Sequence, residues 1–356
     1  MKLLYVTFVD WGDQSSGSSA RPHRMYEAFE ALGCKIWLLQ GCQSRVGERR
    51  RRVREALRAL SCGPAPDMCY VEPPSGPFFC RLDLKLLKRL HGMGVPIALF
   101  YRDAHWRYAG WWGAKGVKRR ILVHMHKRDL RVFRRCCDTV YFPSESMRRL
   151  FEGERFKRSG LLPPGCTSPA PVRRFLYGRA VYVGGVSAHY GTHMLLEAFE
   201  LLNSGKEKLP LLIVCRENEW QALESPYKSR PWLTVSHTFG EGLKSVYERA
   251  DVGIIPIRRD KYMDFALPVK LFEYLSYGLP VIATRCAETE AFISRYGCGA
   301  LCGDSARELA LSVRRFYESA DWREGMLVGV QRAALDNLWI GRAKKVVEDL
   351  TGQRLG

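Results

Sequence analysis

Two Rossmann-like α/β domains, each built on a parallel sheet, are the architecture this sequence predicts, and three observations carry it. Short apolar runs alternate with helical segments from residue 3 onward, the pattern of strand–helix units joined by right-handed crossovers. The alternation breaks at a proline-rich stretch that begins Leu161-Leu162-Pro163-Pro164-Gly165-Cys166 and ends near Val172, then resumes. The length, 356 residues, holds two domains of ordinary size, each with its own core. The boundaries that follow are 1–163 for the first domain, 164–178 for a linker, 179–338 for the second domain and 339–356 for a final helix.

Taken in order, residues 3–9 read as a strand, followed by the loop Asp10-Trp11-Gly12-Asp13-Gln14-Ser15-Ser16-Gly17-Ser18-Ser19 and a helix over about 20–32. A strand over 35–40, a basic helix over 45–60 and a strand over 67–71 come next. Residues 82–91 are helical, 96–101 a buried strand, 115–136 a long basic helix and 139–142 a strand. Ser144 is placed to cap the helix after it. Beyond the linker, 180–183 is a strand, Gly184-Gly185 its turn, and the next helix carries Leu195, Leu196, Ala198 and Phe199. Strands over 211–215 and near Val235, a helix through Tyr247 and a strand over 251–256 lead into residues 264–284. There Pro268 suits a first helical turn, and Leu271, Phe272 and Leu275 make an apolar face. Gly278 and Pro280 end the helix, and Val281-Ile282-Ala283-Thr284 is a buried strand. Helices fill the remainder.

Composition narrows the class. Hydrophobic content of 46% and charged content of 26% describe a soluble globular protein, with no eighteen-residue apolar run to span a membrane. The N-terminus reads as a first strand rather than a signal peptide, because it has no small-residue cleavage site. Twelve scattered cysteines without a C-x2-C pair, Cys298 and Cys302 included, point to reduced thiols in a cytoplasmic protein rather than to zinc. The net charge of +19 comes mostly from arginines and lysines before residue 160. Nucleic acid is disfavoured, since no RNA-recognition, KH or zinc-finger pattern accompanies the charge. An anionic membrane surface suits the helix over 45–60, where Val53, Ala56, Leu57 and Leu60 line one side and arginines the rest. A solvated helix face is the plain alternative.

In parallel sheets ligands collect beyond the carboxyl ends of the strands. The first such loop is rich in Gly and Ser and opens onto a helix, so its backbone N–H groups can meet a phosphate or sugar, although G-x-G-x-x-G is absent. The second, Tyr101-Arg102-Asp103-Ala104-His105-Trp106-Arg107-Tyr108, mixes charged groups with aromatic faces, as carbohydrate sites do. Asp103 paired with Arg102 or Arg107 as structural glue is the alternative there. In the stretch after Asp264, Lys270 lies in the first helical turn, where the dipole favours anions, and Glu273 follows one turn later on the same face. A helix start with a lysine is a place for phosphate, and a nearby carboxylate accepts hydrogen bonds from sugar hydroxyls. Together they suggest a sugar nucleotide; an amphipathic helix with a solvated Lys/Glu pair competes.

This stretch resembles the donor-binding segment of GT-B glycosyltransferases, particularly the family-four bacterial polysaccharide and lipid enzymes. In that family Glu-x7-Glu precedes Gly-x-Pro-Val-Ile-Ala. Glu273 matches the second glutamate, whereas Phe265, beside Asp264, stands in place of the first. The linker resembles the family's Pro-Asn-Gly boundary, with Pro164 for Asn. The resemblance implies two domains facing a cleft, the first on the acceptor side and the second holding the nucleotide sugar, with the last helix crossing back to the first. It implies that Gly17 borders the donor phosphates, that Glu273 binds the ribose and that His237 lies near the base. Gly185 and Ser187 belong to the turn where the family continues with an Arg and a Lys; here the stretch is Val186-Ser187-Ala188-His189-Tyr190-Gly191. Phosphates without cations are costly, so Lys270 and Arg216, then Arg258, with Arg259 and Lys261 also at hand, are the substitutes expected. The helix start at Pro268, Val269, Lys270 and Leu271 would hold the diphosphate. His105 is nearest to a family histidine that approaches the donor sugar, and Asp103 serves equally as a base.

The function implied is transfer of a hexosyl group from a nucleotide sugar to a hydroxyl of a glycan or lipid-linked acceptor, in cell-surface polysaccharide synthesis. No cofactor beyond the donor is expected, and no metal, since Asp-x-Asp is absent from the strand-end loops. Retention is the family's outcome, while Phe265 and Asp103 leave inversion open. The enzyme would be cytoplasmic, peripheral at the inner membrane face. A non-catalytic sugar-nucleotide or glycan binder and a nucleotide-sugar epimerase are the rival functions.

Overall fold

Nearly every strand is a run of four to six residues with apolar side chains on both faces, as a sheet covered by helices requires. The computed structural model describes residues 1–9, 11–12, 17–108, 113–173, 175, 178–205 and 208–354. It divides into one unit of Met1–Pro163 with Trp339–Gly356 and a second of Pro164–Leu338. No helix among the described residues is long and apolar enough to cross a membrane.

The first unit runs β1 (Lys2–Thr7), α1 (Gly17–Ala31), β2 (Lys35–Leu39), α2 (Val46–Cys62), β3 (Met68–Glu72), α3 (Arg81–Gly92), β4 (Ile97–Phe100), α4 (Gly116–Cys136), β5 (Thr139–Phe142), α5 (Glu145–Leu150) and β6 (Ser159–Leu161). Its sheet is parallel in the order β2-β1-β3-β4-β5-β6, with Tyr5 opposite Leu38 on one side and Tyr70 on the other. Ser144 caps α5, its Oγ accepting from the Met147 N–H at 3.3 Å. Of the Gly/Ser loop before α1, Asp10 and Asp13 to Ser16 lie outside the described residues.

The second unit runs β7 (Ala180–Val183), α6 (Thr192–Leu202), β8 (Leu211–Val214), α7 (Glu217–Ala222), β9 (Leu233–Ser236), α8 (Gly242–Glu248), β10 (Val252–Ile255), α9 (Val269–Ser276), β11 (Val281–Thr284), α10 (Ala287–Tyr296), β12 (Gly299–Cys302), α11 (Ala306–Glu318) and α12 (Ala320–Asp336). The order β12-β11-β10-β7-β8-β9 is again all parallel and puts the reversal of strand order between β7 and β10. Phe199, Leu195, Ile213, Ile254, Leu309 and Phe316 centre its core. The chain then returns as α13 (Trp339–Thr351), whose Trp339, Ala343, Val346 and Val347 join Leu3, Tyr5, Phe29 and Tyr70 in the core of the first unit.

Three features depart from the sequence expectation. The strands β6 and β12 were not anticipated: each is an edge strand, and each contains glycine, which lowers strand propensity. Pro268 stands one residue outside α9, in extended backbone with φ −72° and ψ 140°. Finally, the apolar side of α2 is not at the surface. Val53, Ala56 and Leu60 are buried, and Arg49, read as part of the basic cluster, is wholly buried too. Its guanidinium donates to Asp83 Oδ1 at 2.7 and 2.9 Å and to the Thr7 carbonyl at 2.8 Å.

Candidate functional site

At the β7/β10 reversal in the second unit, one aromatic side chain fixes the geometry. Tyr274, in the second turn of α9, accepts from the Val183 N–H at 3.0 Å and reaches the Ile254 carbonyl at 3.3 Å, so its hydroxyl bridges the ends of β7 and β10. Its ring lies against Gly253, where any Cβ would collide with it. With α9 pinned in this way, Lys270, one turn earlier, is delivered to the turn after β7. The Nζ of Lys270 lies 4.2 Å from the Tyr182 ring centre and 5.6 Å from that of Tyr190. A Cβ added to Gly184 would come within 2.5 Å of this nitrogen, so only glycine lets the lysine close on the turn.

That ammonium is shielded from solvent and has no hydrogen-bond partner among the described residues. Burial pulls its pKa down to about 7, with Glu273 opposing the shift. Electrostatically the place asks for an anion, which would restore the charge and supply the missing acceptors. Glu273 accepts from the Tyr247 hydroxyl at 2.9 Å on the face of α9 that carries Lys270.

The other expected donor residues fall into groups. Gly185 continues the turn, its carbonyl accepting from the Tyr182 hydroxyl at 2.6 Å, and the Ser187 carbonyl accepts from the Tyr190 N–H at 3.2 Å. Arg216 precedes α7, half exposed, and pairs with Glu219 at 3.0 Å. His237, exposed just after β9, makes a 2.9 Å contact from Nδ1 to the Cys215 carbonyl. Arg258 is exposed and lines an open groove with Ala188, Gly191 and Asp304. Arg259 is paired with Asp264 at 3.1 Å. Of the helix start, Val269 is half-buried, but Leu271 is fully buried in the core. The Leu271 N–H already donates to the Pro268 carbonyl at 3.1 Å, so both its side chain and its N–H are engaged within the chain.

In the first unit Gly17 is the first residue of α1. Asp103 and His105 are brought together just past β4: Asp103 Oδ1 accepts the His105 backbone N–H at 2.9 Å and lies 3.2 Å from His105 Nδ1. Arg102 pairs with Glu72 at 3.3 Å and Arg107 with Glu154 at 3.1 Å. Trp106 stacks on His126 with ring centres 4.7 Å apart, and burial lowers the His126 pKa to about 3. Tyr101, Arg102, Asp103, His126 and Asp129 line one small cavity. Burial pushes the Asp129 pKa up to about 6 although its carboxylate accepts from the Phe78 N–H at 2.7 Å.

Sequence reasoning missed Tyr274, Tyr182, Tyr247 and Glu219. A Gly253 in an otherwise aliphatic strand was the available sign of Tyr274, since strand glycines mark close approach.

The fold, two parallel six-stranded sheets with flanking helices, matches several solved structures at low sequence identity. Sucrose-phosphate synthase from Thermosynechococcus elongatus superposes with a TM-score of 0.73 at 15% identity, covering 98% of each chain. WaaG, a glycosyltransferase involved in lipopolysaccharide biosynthesis, gives 0.68 at 15% identity over 99% of this chain and 100% of its own. The Anabaena protein HepE, in complex with UDP and glucose, gives 0.65 at 12% identity with the same coverage. The chain has the GT-B fold. Within it, residues 178–319 of this GT-B protein match the family model described as glycosyl transferases group 1, which spans β7 to α11 and so contains Lys270 and Glu273. No curated protein sequence matches the chain.

Proposed function

We propose that this GT-B protein transfers a hexosyl group from a nucleotide-sugar donor to a hydroxyl of a glycan or lipid-linked acceptor. The observation that carries the reading is the buried, unpartnered Lys270 ammonium beside the Gly184-Gly185 turn at the strand-order reversal. It is supported by the group 1 match over that segment and by HepE, which binds UDP-glucose. Lys270, with Arg216 and then Arg258, would neutralise the donor's diphosphate and stabilise the leaving group as charge builds on it. Glu273 would take the ribose hydroxyls, with Tyr247 fixing its carboxylate. His237 would lie near the base, and Gly17 at the phosphate side of the first unit. The Asp103–His105 pair would handle the acceptor proton, Asp103 orienting the imidazole. Retention without a metal or further cofactor is the course proposed.

The acceptor side of the reading is a cytoplasmic enzyme seated at an anionic membrane, in cell-surface polysaccharide synthesis. The surface that suits this is the start of α4 rather than α2. Residues 115–121 are exposed throughout, with Val117 71% and Ile121 56% exposed among Lys118, Arg119 and Arg120. Apolar side chains among cations fit anionic headgroups, each basic residue contributing about 1 kcal/mol near the surface.

The test is a thermal-shift titration against UDP, GDP, ADP and TDP and their common sugar conjugates, repeated on Lys270→Ala and Glu273→Ala. Ligand at 100 times its Kd stabilises by about 2.7 kcal/mol. The expected result is a shift for one nucleotide that both substitutions remove; no shift with any nucleotide would overturn the reading. Release of free sugar from that donor separates a transferase from a binding protein of the same fold, and release of an altered sugar nucleotide marks an epimerase.

A further inference from the structure

The turn that meets Lys270 also carries a carboxylate supplied by the chain itself. Glu219 projects from α7 at the carboxyl end of β8. Its Oε2 accepts the Val186 N–H at 3.1 Å, and its Oε1 lies 3.0 Å from Arg216 Nη2. A Cβ on Gly185 would stand 3.2 Å from Oε2, so the carboxylate rests directly on the turn. One oxygen thus takes a backbone N–H of the turn and the other takes a guanidinium. A phosphate group uses the same pair of donors, because both anions match an N–H and a guanidinium fork. An exposed Arg–Glu pair at i,i+3 contributes little on its own. The bond to Val186 is of another kind: it crosses 33 residues and aims an anion at the diphosphate turn.

We propose that Glu219 is an internal stand-in for a phosphate of the donor, occupying the turn in the ligand-free protein and leaving it when the diphosphate enters. This deepens the donor-site reading above and rests on it. On entry, the Val186 N–H and the Arg216 guanidinium pass from the carboxylate to the phosphate, while Lys270 gains the acceptors it lacks. Glu219 therefore sets the threshold for anion binding. A singly charged ion does not displace it, whereas a diphosphate, which engages Lys270 as well, does.

Calorimetric titration with inorganic pyrophosphate tests this without knowledge of the base or sugar. The proteins are wild type, Glu219→Gln, Arg216→Ala, the double variant and Lys270→Ala, at one fixed salt concentration. Glutamine keeps a carbonyl oxygen for the Val186 N–H and removes only the charge; if that variant does not fold, Glu219→Ala carries the test. The expected result is tighter binding by about fivefold or more in Glu219→Gln, within the range of coupled sites. That gain should vanish when Arg216 is also removed, and Lys270→Ala should bind weakly or not at all. Equal affinity of wild type and Glu219→Gln would make the contact a surface clasp and overturn the proposal. Weaker binding in Glu219→Gln would place the carboxylate in the bound state and overturn it too. A gain that survives Arg216→Ala, or pyrophosphate affinity that survives Lys270→Ala, would locate the ion elsewhere on the basic chain and likewise overturn the proposal. Loss of binding in Lys270→Ala with no change in Glu219→Gln overturns this inference alone; no binding to any variant overturns the donor-site reading as well.

Discussion

The two units bury charge in different ways. In the first, Arg49 is wholly enclosed but bonded to Asp83 and to a carbonyl. Arg21 is enclosed beside Glu72, its Nε bonded at 3.0 Å and its guanidinium stacked 3.4 Å over the Phe100 ring, while its two Nη atoms have no hydrogen-bond partner among the described residues; Glu72 also accepts from Tyr70 at 2.7 Å. In the second, the Lys270 ammonium is enclosed with two aromatic faces and no acceptor among the described residues. Burying an ion costs several kcal/mol unless it is paired and hydrogen-bonded. A paired ion is consistent with a purely structural role, whereas an unpaired one persists where a ligand completes it. The contrast teaches that the informative buried cation is the one to which the fold bonds no carboxylate.

The sharpest way to break this contrast is to remove one cation of each kind. Arg49→Met leaves Asp83 uncompensated and is expected to cost about 3–5 kcal/mol in urea unfolding. Lys270→Met should do the reverse, stabilising the ligand-free protein by about 1–3 kcal/mol, as relief of an unsatisfied buried group predicts, while abolishing nucleotide binding. A destabilised Lys270→Met protein would mean that the ammonium is structurally satisfied after all.

A smaller effect follows from pH. The Lys270 pKa is lowered to about 7 in the folded protein and returns to its ordinary 10.5 on unfolding. Between those values the unfolded chain binds more protons, so stability of the ligand-free protein should rise with pH over that window, and the rise should flatten in Lys270→Met. Diphosphate binding raises the pKa again, so at pH 8 binding should take up close to one proton. Titrations in buffers of different ionisation enthalpy measure that uptake. The smallest effect belongs to the exposed arginines of α2: Arg54→Ala should change stability by no more than about 0.5 kcal/mol.

Much of the fold was legible because each central strand is a bounded apolar run, as in Val281-Ile282-Ala283-Thr284. The edge strands β6 and β12 escaped because three or four residues including a glycine carry no period to read. Lys270 and Glu273 were legible as a basic residue and an acid one turn apart at a helix start, where local rules apply. Arg49 was misplaced for the opposite reason. A run of arginines looks uniform in sequence, and only the packing of α2 against α3 decides which one turns inward. The Glu219–Val186 bond was invisible because it joins the helix after β8 to the turn after β7, and only the pairing of those two strands brings them together.

The return of the chain bears on its synthesis. The second unit is contiguous, but the core of the first includes Trp339, Ala343, Val346 and Val347, which are translated after all of the second. Although domains tend to fold in the order they leave the ribosome, the first unit here stays open along α1 until α13 arrives. Every residue of the second unit is made before α13, so the α1 face of the first unit gains its cover only at the end of synthesis.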